Sequence, residues 1–477
     1  MLKFSSHDFP PLPYEATDRP SKRLKREEDT MAEQASASHD YPTINDLPDE
    51  LILDILDSLP SLDLDNSHLA TLLSLSITNR RFHRLVAKPL YASFNSFFCE
   101  PYLFLRTVIT SPHLAQLIQH AKITYGGFAR CKRYKPILQD KRILRQGLRA
   151  LGIPDWGTWA NKCHNPFDDI SDIIQSTILM YTPKLKSLGV KGERYNEKCI
   201  RNHKWIEMIK RANLGTPIGP HHSFECLRYL SIEVANSTLM DLAPVFQTPS
   251  LRVLTLIYLN GDNENDLGAL TMRIPLHCNN LEELHILNGL VSTSVLEIML
   301  SSARGLKRLS YELELMFKSR STYQDNVPGL VETLACQRPT LESLSFACDE
   351  RAELHFRGAA NLYKGLRNFP ALKHLSCPLN SIADTRQRVS SAPLAQKLPP
   401  SLQALGVTLR RNSDGVDFVA RANLERMAAT CSTYAPDLKT VRIRVEKLLG
   451  LQEEYDWALL MEPFSWNGVD LVVEHRG

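Results

Sequence analysis

The sequence predicts an α/β chain: a small N-terminal three-helix domain followed by an irregular strand–helix solenoid, with parallel strands on the concave side and helices outside. Three observations predict it. Between positions 44 and 91, apolar residues recur at helical spacing in short runs, each bounded by a start or stop residue. A unit of the form Leu-x-x-Leu-x-apolar then returns nine times between Leu185 and Ile443. Stretches with helical period separate several of these copies, so strand, turn, helix and return alternate along the chain.

Residues 1–40 are rich in Pro, Ser, Asp, Glu and Lys and carry no sustained apolar period, which predicts a disordered tail. Its basic cluster, Lys22-Arg23-Leu24-Lys25-Arg26, reads either as a nuclear import signal or as a solvated charge run next to Glu27, Glu28 and Asp29. The first helix is expected at Pro48, whose missing N–H would have no partner in a first turn. Asp49 and Glu50 follow, where carboxylates favour the positive end of the helix dipole. Leu51, Ile52, Ile55, Leu56 and Leu59 stand at offsets 0, 1, 4, 5 and 8, which gathers them on one wide face. A second short helix is expected to end in the run Ser76–Asn79. In a third, Phe82, Leu85 and Val86 share a face and Pro89 is the expected stop.

Periodicity alone fits any three-helix substructure packed against the rest of the chain. The ordered motif parts add a resemblance: residues 44–91 resemble an F-box. Leu47, Pro48, Glu50 and Leu51 stand at its L-P-x-E-L, and Leu59-Pro60 at the Leu-Pro that closes a helix. Leu75, Asn79, Arg80 and Phe82 fall in the Leu-Ser-Leu-Thr-Asn-Arg-like step, and Leu90-Tyr91 at the terminal Leu-Tyr. The spacer Ser61–Leu73 is longer than the link of a minimal F-box. The expected division is a tail over 1–40, an F-box over 41–92 and the solenoid over 93–477.

The nine repeat copies are Leu185/Leu188/Val190, Leu227/Leu230/Ile232, Leu251/Leu254/Leu256, Leu281/Leu284/Ile286, Leu306/Leu309/Tyr311, Leu341/Leu344/Phe346, Leu372/Leu375/Cys377, Leu402/Leu405/Val407 and Leu438/Val441/Ile443. In six of them a proline lies two residues before the first leucine: Pro183, Pro249, Pro339, Pro370, Pro400 and Pro436. Proline there is expected at the start of a short strand. Helices are expected over Val291–Ala303, Pro328–Gln337, Ala359–Asn368 and Ala420–Tyr434, an earlier unit at Leu114–Ile123, and a closing strand at Val469–Val473. This is the leucine-rich-repeat unit, although the starts, 24 to 42 residues apart, make the array irregular. An F-box followed by leucine-rich repeats is a familiar pairing, and the chain resembles its fungal-type, irregular-repeat members.

A chain of 477 residues exceeds one compact core, so several domains or a repeat array are expected. Net charge is +3, and no apolar run approaches the ~20 residues that cross a bilayer. The first residues lack the apolar stretch of a secretory signal. Ten scattered cysteines without a C-x-x-C pair predict reduced, mostly buried thiols and an intracellular protein, cytoplasmic and/or nuclear. Two basic insertions interrupt the repeats. Arg130–Arg149 holds eight Lys or Arg against Asp140, and Lys191–Arg211 holds seven against three acids, with Tyr134, Tyr195 and Trp205 interleaved. Such clusters can hold phosphates and stack on bases, can grip an acidic or phosphorylated peptide, or are solvated surface helices. No G-x-S-x-G, H-E-x-x-H, P-loop or G-x-G-x-x-G is present, so no catalytic residue is expected. Cys163-His164 and Cys199/His203 lack further zinc ligands, and the Asp262–Asp266 run lacks the glycine and glutamate of a calcium loop; no metal or cofactor is expected. Trp156, Trp159 and Trp466 are expected to be packing residues.

The resemblance implies a non-catalytic substrate receptor of an SCF-type cullin–RING ubiquitin ligase. Its F-box would dock on a Skp-family adaptor and, through it, on a cullin, while the repeats hold a protein substrate. Carried over residue by residue, Leu47, Pro48, Leu51, Ile55, Leu56, Leu75, Phe82, Leu90 and Tyr91 are expected to make the adaptor contact or to support it. The alternative is a leucine-rich-repeat scaffold that binds a protein or nucleic acid outside any ligase. No membrane partner is expected, and nucleic acid is the less favoured ligand.

Overall fold

A computed structural model describes residues 43–58, 67–124, 134–153, 155–164, 170–192, 204–218, 222–234, 238–259, 267–289, 291–313, 330–348, 362, 365–383, 392–410, 418–446 and 457–476. The tail with Lys22–Arg26, Leu59-Pro60, Tyr195, the Cys199/His203 pair and Asp262–Asp266 lie outside them. The chain divides into two compact units, residues 1–52 and 53–477, and the division falls inside the first helix.

Three helices come first: α1 (Asp49–Asp57), α2 (Ser67–Ser76) and α3 (Arg80–Ala92). α2 and α3 pack against each other, and α3 runs directly into the first strand. Twelve strands follow: β1 (Ser93–Asn95), β2 (His120–Thr124), β3 (Ser187–Lys191), β4 (Tyr229–Glu233), β5 (Val253–Ile257) and β6 (Glu283–Gly289), then β7 (Arg308–Leu313), β8 (Ser343–Cys348), β9 (His374–Pro378), β10 (Ala404–Arg410), β11 (Thr440–Glu446) and β12 (Asp470–Arg476). They form one sheet whose spatial order is their sequence order, and every pair is parallel. A parallel neighbour needs a return path across the sheet, and most intervals supply it with a helix. This is a solenoid-like array of one strand per coil, preceded by a helical segment.

All nine Leu-x-x-Leu-x-apolar copies coincide with β3 to β11. Register stacks them: Leu188, Leu230, Leu254, Leu284, Leu309, Leu344, Leu375, Leu405 and Val441 pair in succession and are all buried. Two residues on, Val190, Ile232, Leu256, Ile286, Tyr311 and Phe346 repeat the pattern. Successive side chains of a strand point to opposite faces, so these rows make a continuous apolar floor under the return helices. The expected early and closing strands are β2 and β12.

The prolines sit elsewhere than expected. They lie in the turns four residues before their strands. The leucine N–H closes each turn on the carbonyl three residues back in Thr182–Leu185, Thr248–Leu251, Phe369–Leu372, Pro399–Leu402 and Ala435–Leu438. Pro183, Pro249, Pro370, Pro400 and Pro436 then occupy the second turn position, whose φ the ring presets. Two successive backbone N–H groups then reach back to one carbonyl of the previous coil: Arg252 and Val253 to Arg228, Glu282 and Glu283 to Arg252, Lys307 and Arg308 to Glu282, Glu342 and Ser343 to Lys307, and Lys373 and His374 to Glu342, at 2.8–3.0 Å. Side chains of alternating sign ride on this ladder, with Glu282 between Arg252 at 3.7 Å and Lys307 at 2.9 Å, and Lys373 at 3.2 Å from Glu342. β6 carries an irregularity between Ile286 and Gly289, where a Cβ on Gly289 would stand 2.7 Å from Ile286 Cγ2 and Asn288 adopts φ 50.

Other expectations need correction. Pro89 lies inside α3, which continues to Ala92; so near the end it removes only one late hydrogen bond. Asn79 caps α3, its Oδ1 accepting the Phe82 N–H at 2.8 Å, rather than ending α2. The three-residue β1 has no motif of its own and gains its place only by pairing with β2. Of Ala359–Asn368, the described residues show a 3-10 turn over Leu366–Asn368. Trp466 is 75% exposed and packs on little, unlike Trp156 and Trp159, which lie against the core. Among the described cysteines, which are all free, Cys163, Cys377 and Cys431 are buried but Cys336 is exposed. No helix among the described residues is long and apolar enough to cross a membrane.

Candidate functional site

A stapled turn leads into α1. Thr43 donates its N–H and its hydroxyl to Asp46 Oδ2 at 2.7 and 3.0 Å, and the Asp46 N–H returns to the Thr43 carbonyl. Pro48 stands one residue before the helix, and its carbonyl accepts the Ile52 N–H at 3.2 Å. Asp49 and Glu50 occupy the first turn as expected. The apolar face of α1 is then split. Ile52 and Leu56, four apart, are 2% and 3% exposed, while Leu51 and Ile55, also four apart, are 48% and 47% exposed. Residues at i and i+4 share a face, so α1 offers one aliphatic stripe to its own chain and a second to solvent. Leu47 is half-buried and Pro48 exposed.

The other expected residues have different surroundings. Phe82 is buried in α3 with Leu85 and Val86, and Leu75 of α2 is half-buried. Leu90 and Tyr91 are half-buried at the end of α3. The Tyr91 ring lies 6.3 Å from Phe104, itself 4.6 Å from Phe94 of β1, and burial raises the Tyr91 hydroxyl above its ordinary value. Tyr91 therefore ties α3 to the first coil. Reading by period missed two exposed aliphatics, Ile44 at 49% and Ile77 at 72%. Each lies in a turn beside a helix, where helical spacing gives no signal.

The solvent side of the sheet is a second open surface. Its central lane is Gly189, Ser231, Thr255, His285, Ser310, Ser345, Ser376 and Gly406, small at most positions and half-buried throughout. Glu283 stands beside it, within hydrogen-bond reach of Arg308, and this cation holds its carboxyl below the usual range. Arg442 and Arg444 share Glu474, both at 3.0 Å.

Burial pushes the Cys163 thiol up to about 12 and raises Cys278, Cys377 and Cys431, so these sulfurs stay protonated and weakly nucleophilic. Among the described residues no group of three or more His, Cys, Asp or Glu is placed to hold a metal. The two described aromatics of the basic insertions are engaged by the chain itself: Trp205 is buried, and Tyr134 donates its hydroxyl to Asp140 Oδ2 at 2.6 Å.

Residues 44–95 match the F-box-like family. This is a protein-interaction domain, one that in general binds Skp-family adaptors of ubiquitin ligases. The matched segment runs from Ile44 through α1, α2 and α3 to the last residue of β1. No curated protein matches the chain.

Proposed function

We propose that the chain is a non-catalytic substrate receptor of an SCF-type cullin–RING ubiquitin ligase, built as an F-box domain over 41–92 and an irregular leucine-rich-repeat array over 93–477. The observation that carries this reading is the solvent-facing aliphatic stripe of α1, Leu51 and Ile55, inside a segment that matches the F-box-like family. Large exposed apolar side chains on a helix call for a partner surface. In this reading Leu47, Pro48, Leu51 and Ile55 make the adaptor contact, while Leu56, Leu75, Phe82, Leu90 and Tyr91 hold the domain's shape. The adaptor brings a cullin, the repeats hold a protein substrate, and the receptor contributes proximity by raising the local concentration of a substrate lysine. The complex works in the cytoplasm and/or nucleus.

Co-purification tests this. A chain with Leu47, Pro48 and Leu51 changed to alanine is expected to lose both adaptor and cullin while keeping its thermal transition. Truncating one central anchor costs about 2 kcal/mol or more of binding. Equal recovery of the adaptor by the altered chain would refute the docking assignment. Recovery of adaptor without cullin from the unaltered chain would instead favour a scaffold outside any ligase.

A further inference from the structure

The basic insertion at 130–149 is left unused by the docking reading. Its described part is a helix, Leu138–Ala150, that packs against the neighbouring helices Pro101–Thr110 and Trp156–His164. Asp140, Leu144, Gly147 and Leu148 are buried on one side. Arg142, Arg145 and Arg149, at offsets 0, 3 and 7, are exposed along the other. Exposed Lys135 precedes the helix. Arg145 Nη2 donates to Asn161 Oδ1 at 3.2 Å, one residue from exposed Lys162 on the adjoining helix.

Among the described residues no carboxylate forms an ion pair with Arg142, Arg145 or Arg149. The helix has one carboxylate, Asp140, which is buried and engaged by Arg106 at 3.1 Å, by the Tyr134 hydroxyl at 2.6 Å and by the Ile137 N–H at 3.3 Å. On two other helices solvent-facing cations have an acid one turn away: Lys210 and Arg211 have Glu207, and Arg421 has Glu425. The neighbours of Arg145 at that distance are Lys141 and Arg149, which repel it. The outer side of this helix is thus a narrow positive stripe that the helix's own sequence does not offset.

We infer that this row docks an acidic segment of a protein partner, a run of carboxylates or phosphorylated side chains. The inference rests on the receptor reading, whose substrate chemistry it names. Arg142 to Arg149 rises about 10 Å, the span of about three residues of extended chain. Exposed Ile137 and Leu138 at the start of the helix add an apolar contact for a flanking side chain. A nucleic acid fits less well. Single strands are held by stacking on aromatic faces, whereas Tyr134 is committed to Asp140 and Trp156 and Trp159 lie against the core.

The test uses the full chain, without adaptor, and fluorescein-labelled probes read by polarisation. The probes are a peptide with a glutamate run followed by leucine, the same peptide with glutamine for glutamate, a version with phosphoserines, and a single-stranded oligonucleotide of matching charge. Both acidic peptides are expected to bind, and the glutamine peptide to bind poorly. Arg142→Glu, Arg145→Glu and Arg149→Glu together are expected to weaken the acidic peptides about tenfold or more, with an unchanged circular dichroism spectrum. The triple lysine variant separates the two sources: it keeps the glutamate peptide and loses any added affinity for phosphoserine, which arginine grips bidentately. No binding of either acidic peptide, indifference to charge reversal, or tighter binding of the oligonucleotide would overturn the proposal. A Leu51→Ala/Ile55→Ala chain is expected to bind the acidic peptides normally and the arginine variant to bind the adaptor normally, so either assignment can fail alone.

Discussion

Single polar residues inside the array act as joints. Gln337 is buried, and its amide donates to the carbonyls of Leu300 and Ala303 at 2.9 and 3.1 Å while its Oε1 accepts the Leu306 N–H at 2.9 Å. Asn279 and Gln175 act alike, the first on Ser302 and Leu281, the second on both backbone groups of Thr124. Such a side chain replaces hydrogen bonds that a turn between coils cannot make with a strand. Gln337→Leu keeps the volume but strands the Ala303 carbonyl and the Leu306 N–H, while the Leu300 carbonyl keeps the Ala303 N–H at 3.1 Å, and is expected to cost about 2–4 kcal/mol in urea unfolding. His222 is a second case. It is 2% exposed, its Nε2 accepts the Ile218 N–H at 3.0 Å, and burial pushes its pKa down to about 4. An unfolded histidine titrates near 6.5. Below that pH the unfolded chain takes up a proton that the folded chain refuses until about pH 4, so stability falls as pH falls through this window. Comparing unfolding midpoints at neutral and mildly acid pH, the native chain is expected to lose on the order of 2 kcal/mol more than His222→Gln.

At the scale of the element, α1 shows how one pattern serves two ends. Leu51, Ile52, Ile55 and Leu56 read as one wide apolar face, yet the structure buries the second and fourth and leaves the first and third half open. Stability and binding should therefore separate. Leu56→Ala is expected to cost about 2–4 kcal/mol through its cavity. Leu51→Ala and Ile55→Ala are expected to stay within about 0.5 kcal/mol in thermal unfolding, as for surface changes generally. Equal losses at all three would mean that the exposed stripe is held by the chain itself. The helix Leu138–Ala150 has the same double character in charge: its inner side anchors through Asp140 while every charged residue exposed on its outer side is a cation.

Across the whole molecule, contacts between coils are almost entirely between neighbours, as in any array stacked in sequence order. Among the described residues β1 pairs only with β2 and β12 only with β11, whereas β5 to β8 are held on both sides. Amide hydrogen exchange is expected to be slowest in β5–β8 and faster in β12, since end coils open at lower free energy than central ones. Uniform protection across the sheet would argue for a single closed core instead. α3, continuous with β1 and packed on its neighbourhood, covers the first coil, the place where a repeat array needs a terminal cap.

Which strands exist, and which of their side chains face inward, was written in the sequence. Leucines at fixed offsets inside one coil must find leucines at the same offsets in the next, and this demand is local. The start of α1 and the basic character of 130–149 were legible for the same reason: each depends on residues within a turn or two. The tertiary structure alone decided the rest. Period could gather Leu51 with Ile52 but could not say which would meet another element. Nor could it place Pro89 within a helix, give three-residue β1 a partner, leave Trp466 in solvent, or commit Asp140 inward so that Arg142, Arg145 and Arg149 have no exposed carboxylate on their own helix. Those outcomes turn on which surfaces meet across long separations, and the free energy of burial is settled only there.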